Sequence, residues 1–226
     1  MVLSGAGISA ESGISTFRDS NGLWENHRIE DVASPEGFEK NPQLVLDFYN
    51  LRRRQLRDVQ PNKAHEILAE LEQDFDVQII TQNVDDLHER AGSSHVTHLH
   101  GELLKARPVN SDADIVVWEE DLLLGDLDKN GVQLRPHIVW FGEMVPEMET
   151  AMTIASEADI LLVIGTSLQV YPAAGLLHYV PEDCEIFVID PHLEISQFKN
   201  KDNCFKTTAT EGMQKLKEIL ISQHVK

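Results

Sequence analysis

Residues 77–101 read VQIITQNVDDLHERAGSSHVTHLHG, and this run decides the class of fold. Val77 to Ile80 is short and apolar, as a buried strand is. Gln82, Asn83, Asp85, several histidines and Gly101 follow it directly. Polar side chains placed straight after a buried strand sit at the carboxyl edge of a sheet, where open α/β sheets bind ligands. The stretch is therefore read as the floor of an active site, with His100 as its base.

Strand-like and helix-like runs alternate on either side. Met1 to Leu3, Ile160 to Ile164 and Ile186 to Ile189 are apolar and read as buried strands, and 137–141 as another. Ser34-Pro35 and Asn41-Pro42 each mark a helix start, with Pro at the first position. Residues 34–59, 61–74, 146–157, 172–178 and 209–223 read as helical. Leu44, Phe48, Leu51 and Leu56 trace an apolar helical face. Alternating strands and helices predict an α/β fold with a doubly wound parallel sheet. Residues 102–135 hold only short segments and an acidic turn-rich loop, so they are the candidate for a small module.

A second polar turn follows the first strand. Gly5 and Gly7 precede a helix-like stretch, and a strand, a glycine turn and a helix start together can cradle a phosphate. The spacing differs from GxGxxG, and no acidic residue ends a second strand about 20 residues on. Tight turns also use Gly for its conformational range, so these glycines alone leave both readings open. Gly165-Thr166-Ser167 is a similar turn after the strand at 160–164. Residues 14–31 are rich in turn formers and are expected to act as a lid, with Arg18 either meeting a pyrophosphate or lying solvated.

The 226 residues carry 19 Lys plus Arg and 38 Asp plus Glu, a formal charge of -19. Such a surface repels phosphate backbones, so nucleic acid is not expected as a partner, and cationic segments are favoured. Cys184 and Cys204 form neither a CxxC pair nor a disulfide framework. No apolar run approaches the roughly 20 residues that span a bilayer. A cytoplasmic monomer without membrane contact is expected.

Five motifs occur in one order: GAGISAESGISTFR (5–18), TQNVDDLHERAG (81–92), HGE (100–102), HIVWFGE (137–143) and GTSLQVYPA (165–173). Together they resemble the sirtuins, NAD-dependent protein-lysine deacylases, over nearly the whole chain. The resemblance implies a Rossmann-like domain of residues 1–30, 61–101 and 136–226. A small domain is inserted in two pieces, a helical part at 31–60 and the remainder at 102–135. It implies that Ala6, Gly7 and Ser9 contact the pyrophosphate and ribose of NAD, with Phe17 and Arg18 on the cofactor loop. Gln82, Asn83 and Asp85 would shape the nicotinamide and ribose pocket, with Asn83 and Asp85 fixing the ribose and the departing amide. Gly165, Thr166, Ser167, Asp190 and Ala209 would hold the adenosine half. Val139, Phe141, Gly142 and Glu143 would run beside an acylated lysine peptide, the expected partner. His100 would deprotonate a ribose hydroxyl, a task that suits an imidazole of pKa about 6.5. The implied products are nicotinamide and O-acyl-ADP-ribose. The other histidines of residues 81–101, His88, His95 and His98, are read as structural.

Three departures or additions bear on function. Family members bind zinc through two cysteine pairs, which would fall near Arg107–Asn110 and Asp128–Gly131, and no Cys stands there. No zinc is expected, and the small module would be held by Trp118, Leu122 to Leu124 and Leu127. Asp190 stands where many members have Asn; a carboxylate can still accept from a ribose hydroxyl. Tyr49-Asn50-Leu51-Arg52 matches the YxxR pattern of sirtuins that remove succinyl and malonyl groups. Arg offers a planar fork to a carboxylate. Arg53 and Arg54 are read as a salt-bridged helix exterior. An ADP-ribosyltransferase, a non-catalytic NAD-sensing module and a hydride-transferring dehydrogenase are the rival functions.

Overall fold

The computed structural model describes residues 1–15, 23–24, 27–198 and 200–225. Its strands are β1 (Val2–Ser4), β2 (Leu23–Trp24), β3 (His27–Arg28), β4 (Ile79–Thr81), β5 (Val96–His98), β6 (Gly101–Pro108), β7 (Val116–Val117), β8 (Leu134–Ile138), β9 (Ile160–Ile164), β10 (Glu185–Ile189) and β11 (Cys204–Phe205). Its helices are α1 (Ile29–Val32), α2 (Pro35–Lys40), α3 (Pro42–Asp58), α4 (Lys63–Leu71), α5 (Leu87–Ala91), α6 (Met148–Ser156) and α7 (Ala209–His224).

Helix starts follow from local chemistry. The Gly37 N–H donates to Ser34 Oγ over 2.9 Å at the start of α2. The Leu44 N–H donates to Asn41 Oδ1 over 3.2 Å at the start of α3. Each satisfies an N–H that the first helical turn leaves without a partner.

Six strands form one parallel sheet in the order β11-β10-β9-β1-β4-β5. The chain runs outward from β1 through β4 to β5, then returns to β9 and runs outward the other way. This is the Rossmann order, and its switch point lies between β1 and β9. Side chains alternate across the sheet. Leu162 and Ile164 face Ile67, Leu68, Met213 and Leu216 of α4 and α7. Leu161 and Val163 face Ala151, Ala155 and Leu176 on the other side. Both faces are covered, which is why the strands read as continuous apolar runs.

A separate antiparallel sheet has the order β7-β6-β8. The strand expected at 137–141 is in fact β8, which begins three residues earlier because Leu134 to Pro136 pair with Pro108 to Ala106. It crosses the expected boundary between 135 and 136. Pro136 is tolerated because β8 is an edge strand.

Three expectations for α3 and the small module fail. Arg53 is fully buried, not exterior: its Nε donates to Leu103 O over 3.1 Å and its Nη1 to Asn50 Oδ1 over 2.6 Å. Leu51 is exposed, and so are Leu123, Leu124 and Leu127. Leu122 alone of that run is buried, packed with Leu46, Ala106, Leu134 and, at the margin, Trp118. The Asn50 side chain then acts as a short strand edge. Its amide donates to Leu122 O (2.9 Å) and its oxygen accepts from Leu122 N–H (2.8 Å). Arg54 does lie outside, paired with Asp121.

Candidate active site

The switch point brings two polar turns together. Gly7 N–H, after β1, donates to Gly165 O, after β9, over 2.8 Å. Gly165 has φ 63°, and a Cβ there would lie 2.2 Å from Ile8 N, so only glycine fits. Ala6 and Gly7 open a single 3-10 turn, Ala6–Ile8, and Ser9 behind it is fully buried. Gln82 reaches across to the second turn, its Nε2 donating to Thr166 Oγ1 over 3.0 Å. Ser167 follows, half-buried.

Ser9 is the meeting point of the inner site. Its hydroxyl donates to Asp85 Oδ2 over 3.1 Å and accepts from Asn83 Nδ2 over 3.2 Å. His65 lies behind it. The Asn62 N–H donates to His65 Nδ1 over 3.3 Å, so Nε2 carries the hydrogen and donates to Ser9 Oγ at 3.4 Å. Burial pulls His65 down to about 4, which keeps it neutral in that role. Burial likewise pushes Asp85 up to about 6, although Leu87 N–H and the Ser9 hydroxyl both donate to it. A second buried histidine, His88, contacts Ser4 Oγ at 2.9 Å, and Ser4 donates to Thr81 Oγ1 over 2.9 Å. Thr81 in turn accepts from Asn83 N–H over 3.0 Å. Local pattern carries no signal for Ser4, His65 and Thr81 as site residues, because Ser4 meets Thr81 77 residues on and His65 meets Ser9 56 residues back.

His100 stands at the other side of this floor. Its Nδ1 donates to Gln82 O over 3.0 Å, which leaves Nε2 as the acceptor edge. Burial lowers its pKa below the usual imidazole value, so it is neutral at pH 7. Gly101 has φ 80°, and a Cβ there would lie 2.1 Å from His137 O, because β6 and β8 meet closely at that residue. That packing explains the His-Gly pair. His100 is tied to the neighbouring segment as well: Val139 N–H donates to its carbonyl over 2.9 Å.

The next residues lead to Tyr49 and Arg52. Tyr49 is fully buried on α3, and Trp140 Nε1–H donates to its hydroxyl over 3.0 Å. Burial pushes Tyr49 well above its ordinary value, so the hydroxyl stays protonated. Arg52, one turn on, donates to Phe48 O over 2.9 Å with its guanidinium 3.4 Å above the Phe48 ring. Phe141 is half exposed and its N–H donates to Ala33 O over 3.0 Å. Gly142 has φ 92° with open space around it. The Glu143 carboxylate is engaged inside the chain, accepting from Arg135 (2.6 and 3.0 Å) and from Trp140 N–H (2.8 Å). A cavity of about 450 Å³ opens beside Phe141, lined by Ile29, Glu30, Ser34, Gln169, Val170 and Tyr171.

On the outer half of the sheet, Asp190 is buried after β10 and accepts from His192 N–H over 2.8 Å. Ala209 is buried at the start of α7. Phe17 and Arg18 lie outside the described residues. Among the described residues no three His, Cys, Asp or Glu side chains converge as a metal site, and no helix is long and apolar enough to cross a membrane.

The donor set fits a dinucleotide. Close backbone turns meet at the switch point, Ser9 and Thr166 offer hydroxyls, and Asp85 and Asp190 can accept from ribose. Asn83 and Gln82 supply amides beside the candidate base.

Comparison with known proteins agrees. The Sir2 family profile matches residues 5–172. A protein of Bacteroides thetaiotaomicron named NAD-dependent protein deacylase is 54% identical over 227 residues, covering 98% of this chain and 97% of its own length. One of Helicobacter pylori with the same name is 57% identical over 221 residues, covering 98% and 96%. Among solved structures, a Sir2 homologue in complex with NAD aligns with TM-score 0.87 at 40% identity, covering 98% of this chain and 89% of that one.

Proposed function

Because the chain belongs to the Sir2 family, we propose that it removes acyl groups from lysine side chains of proteins or peptides in an NAD-dependent reaction. Succinyl and malonyl groups are among those it takes. The observation that supports the catalytic part best is the state of His100. Its Nδ1 hydrogen is committed to Gln82 O, and it is neutral. An imidazole so fixed can take a proton at Nε2 and nowhere else.

NAD, when bound, supplies a ribose carbon that releases nicotinamide and a ribose hydroxyl that must lose its proton. His100 takes that proton. The Asn83 amide and the Asp85 carboxylate are aimed by Ser9 and hold the ribose and the leaving amide in place. Ala6 and Gly7 bring the backbone close to the pyrophosphate, while Gly165, Thr166, Ser167, Asp190 and Ala209 line the adenosine half. Val139, Phe141, Gly142 and Glu143 flank the acylated peptide, whose acyl chain extends towards α3. There Tyr49 and Arg52 present a hydroxyl and a guanidinium one helical turn apart, a pair suited to a terminal carboxylate. The expected products are nicotinamide and O-acyl-ADP-ribose.

The test is incubation with NAD and paired acetyl- and succinyl-lysine peptides, read by mass spectrometry. Removal of either acyl group, with an O-acyl-ADP-ribose product, is expected. ADP-ribose attached to protein with no such product would instead identify a transferase. His100→Ala should lower turnover by about 10²–10⁴-fold while NAD still protects the protein against heat. Near-wild-type turnover would remove His100 from its role.

A further inference from the structure

Two residues before the candidate base, a second histidine grips the same turn. His98 closes β5, with Nδ1 2.9 Å from Asn83 O and Nε2 2.7 Å from the Glu89 carboxylate. His100 holds the preceding carbonyl, that of Gln82, over 3.0 Å. Two successive carbonyls of the turn therefore end on two histidines of one short segment.

The partners of His98 decide its proton count. A carbonyl oxygen and a carboxylate can only accept hydrogen bonds, so both ring nitrogens must carry hydrogen and the ring is an imidazolium. Its side chain is 7% exposed, beside a Glu89 side chain that is 40% exposed. Burial alone would drive His98 towards neutrality. The hydrogen bond and charge of Glu89, then Asn83 O and Glu102, outweigh it and hold the ring above the ordinary imidazole value. Burial also opposes ionisation of Glu89, and the same contact with His98 overcomes that and keeps it a carboxylate.

The charged groups that face the ring come from three elements. Glu89 and the neutral His88 belong to α5, Glu102 to β6, and Asp85 to the turn itself, while Lys105 of β6 acts on Glu89 and Glu102. Lys105 donates to Glu102 over 2.7 Å and offsets its charge, so Glu89 remains the principal counter-ion.

We propose that His98 is a positioning residue: an imidazolium clamped by Glu89 that fixes the Gln82–Asn83 turn and so aims the Asn83 amide and the Asp85 carboxylate at Ser9 and the cofactor. The proposal rests on the NAD-dependent reading above. It gives the two histidines opposite states and opposite tasks. His98 makes two acceptor contacts, stays charged and holds the backbone by charge-assisted bonds, roughly twice as strong as neutral ones. His100 makes one, stays neutral and keeps Nε2 open to take a proton.

The experiment compares the intact protein with Glu89→Gln, which keeps the side-chain length and an acceptor oxygen but removes the charge. Ring ¹⁵N spectra should show both His98 nitrogens protonated at about pH 7.5 in the wild type, and a titration shifted down by about one pH unit or more in Glu89→Gln. The amide signals of Asn83 and Val84 should move with the same midpoint. In nicotinamide release, the alkaline limb of kcat should shift down by a similar amount, with KM for the acyl peptide within about twofold. A His98 that is neutral at that pH in the wild type, turn amides that ignore its titration, or a pH profile unchanged by Glu89→Gln would each overturn the proposal. A wild type that releases no nicotinamide would sink the NAD-dependent reading instead, and the ring and amide spectra would still decide the clamp. His98→Gln, if it folds, should lower kcat at every pH because neither charge nor ring can be restored.

Discussion

The indole of Trp140 donates to the hydroxyl of Tyr49 over 3.0 Å, while Val139, one residue earlier, donates its N–H to His100 O over 2.9 Å. A single short segment thus links Tyr49, the proposed acyl-selecting residue, to His100, the proposed base. Arg135 stacks 3.2 Å above the Trp140 ring and fixes it from the other side. Trp140→Phe keeps an aromatic face for Arg135 but loses the bond to Tyr49 and part of a buried ring. It should cost about 2–3 kcal/mol of stability and lower desuccinylation about three- to tenfold more than deacetylation, as paired peptide assays would measure. A uniform loss on both peptides would mean that Tyr49 does not read the acyl chain.

Arg52 provides a sharper version of that test. Methionine keeps an apolar stem of similar bulk beside Phe48 but is shorter, and it loses the guanidinium with its charge and its bond to Phe48 O. Arg52→Met should raise KM for the succinyl peptide by about tenfold or more, the usual worth of a charge-assisted contact, and change KM for the acetyl peptide little. Equal effects on both would leave the YxxR pair as structure only.

Asp85 makes the site costly to keep. Its pKa in the folded protein is raised to about 6, so the folded state holds this proton more tightly than the unfolded chain does. The stability it contributes is complete below the unfolded value and is lost as pH rises through about 6. Asp85→Asn should therefore raise the thermal midpoint above pH 7, by an amount on the order of 2 kcal/mol at most, while lowering turnover. His65 acts in the other direction. Its pKa is lowered to about 4, so its contribution is present at neutral pH and is lost as pH falls through that value. Melting curves from pH 4 to 8, with Asp85→Asn and His65→Gln beside the wild type, separate the two slopes.

Asn50 and Arg53 tie the small sheet to α3 at a place where no cysteines stand. Asn50→Ala would leave Leu122 N–H, Leu122 O and the Arg53 guanidinium without this partner in a buried setting. A loss of about 2–4 kcal/mol is expected in denaturant titration. Treatment with a strong chelator should leave both the melting curve and the activity unchanged. A chelator-sensitive melt would show that a metal holds this module.

Much of the doubly wound sheet is legible from local pattern, since Ile160 to Ile164 and Ile186 to Ile189 are short apolar runs flanked by turns. β5 is harder to see. Val96-Thr97-His98 lies at the edge of the sheet and is only half-buried, so it reads as part of a polar span. The switch-point glycines and His100 stand in motifs that local pattern marks. Contacts between distant residues carry no such mark: His65 meets Ser9 56 residues away and Arg53 reaches Leu103 50 residues away. A charge in a helix signals solvent until its buried carbonyl partner is known, and Arg53 is such a charge. Leu123, Leu124 and Leu127 fail for the opposite reason: apolar character is a tendency towards burial, and the surface of a small module has too little interior to satisfy it.

The central place of β1 has a consequence for how the molecule is made. Val2 to Ser4 precede both of their neighbours along the chain, yet they are flanked by β4 and by β9, with Val2 opposite Leu162. Nascent chain shorter than about that length can pair β1 on one side only, and long-range parallel pairing of this kind is slow and exposes unpaired strand edges. The turn at Gly7 meets Gly165 only once β9 has been added. Cofactor cradle and sheet centre are thus completed together and late in synthesis, so a chain stopped before residue 160 would hold His100 and the Asn83–Asp85 turn but have nothing to close them against.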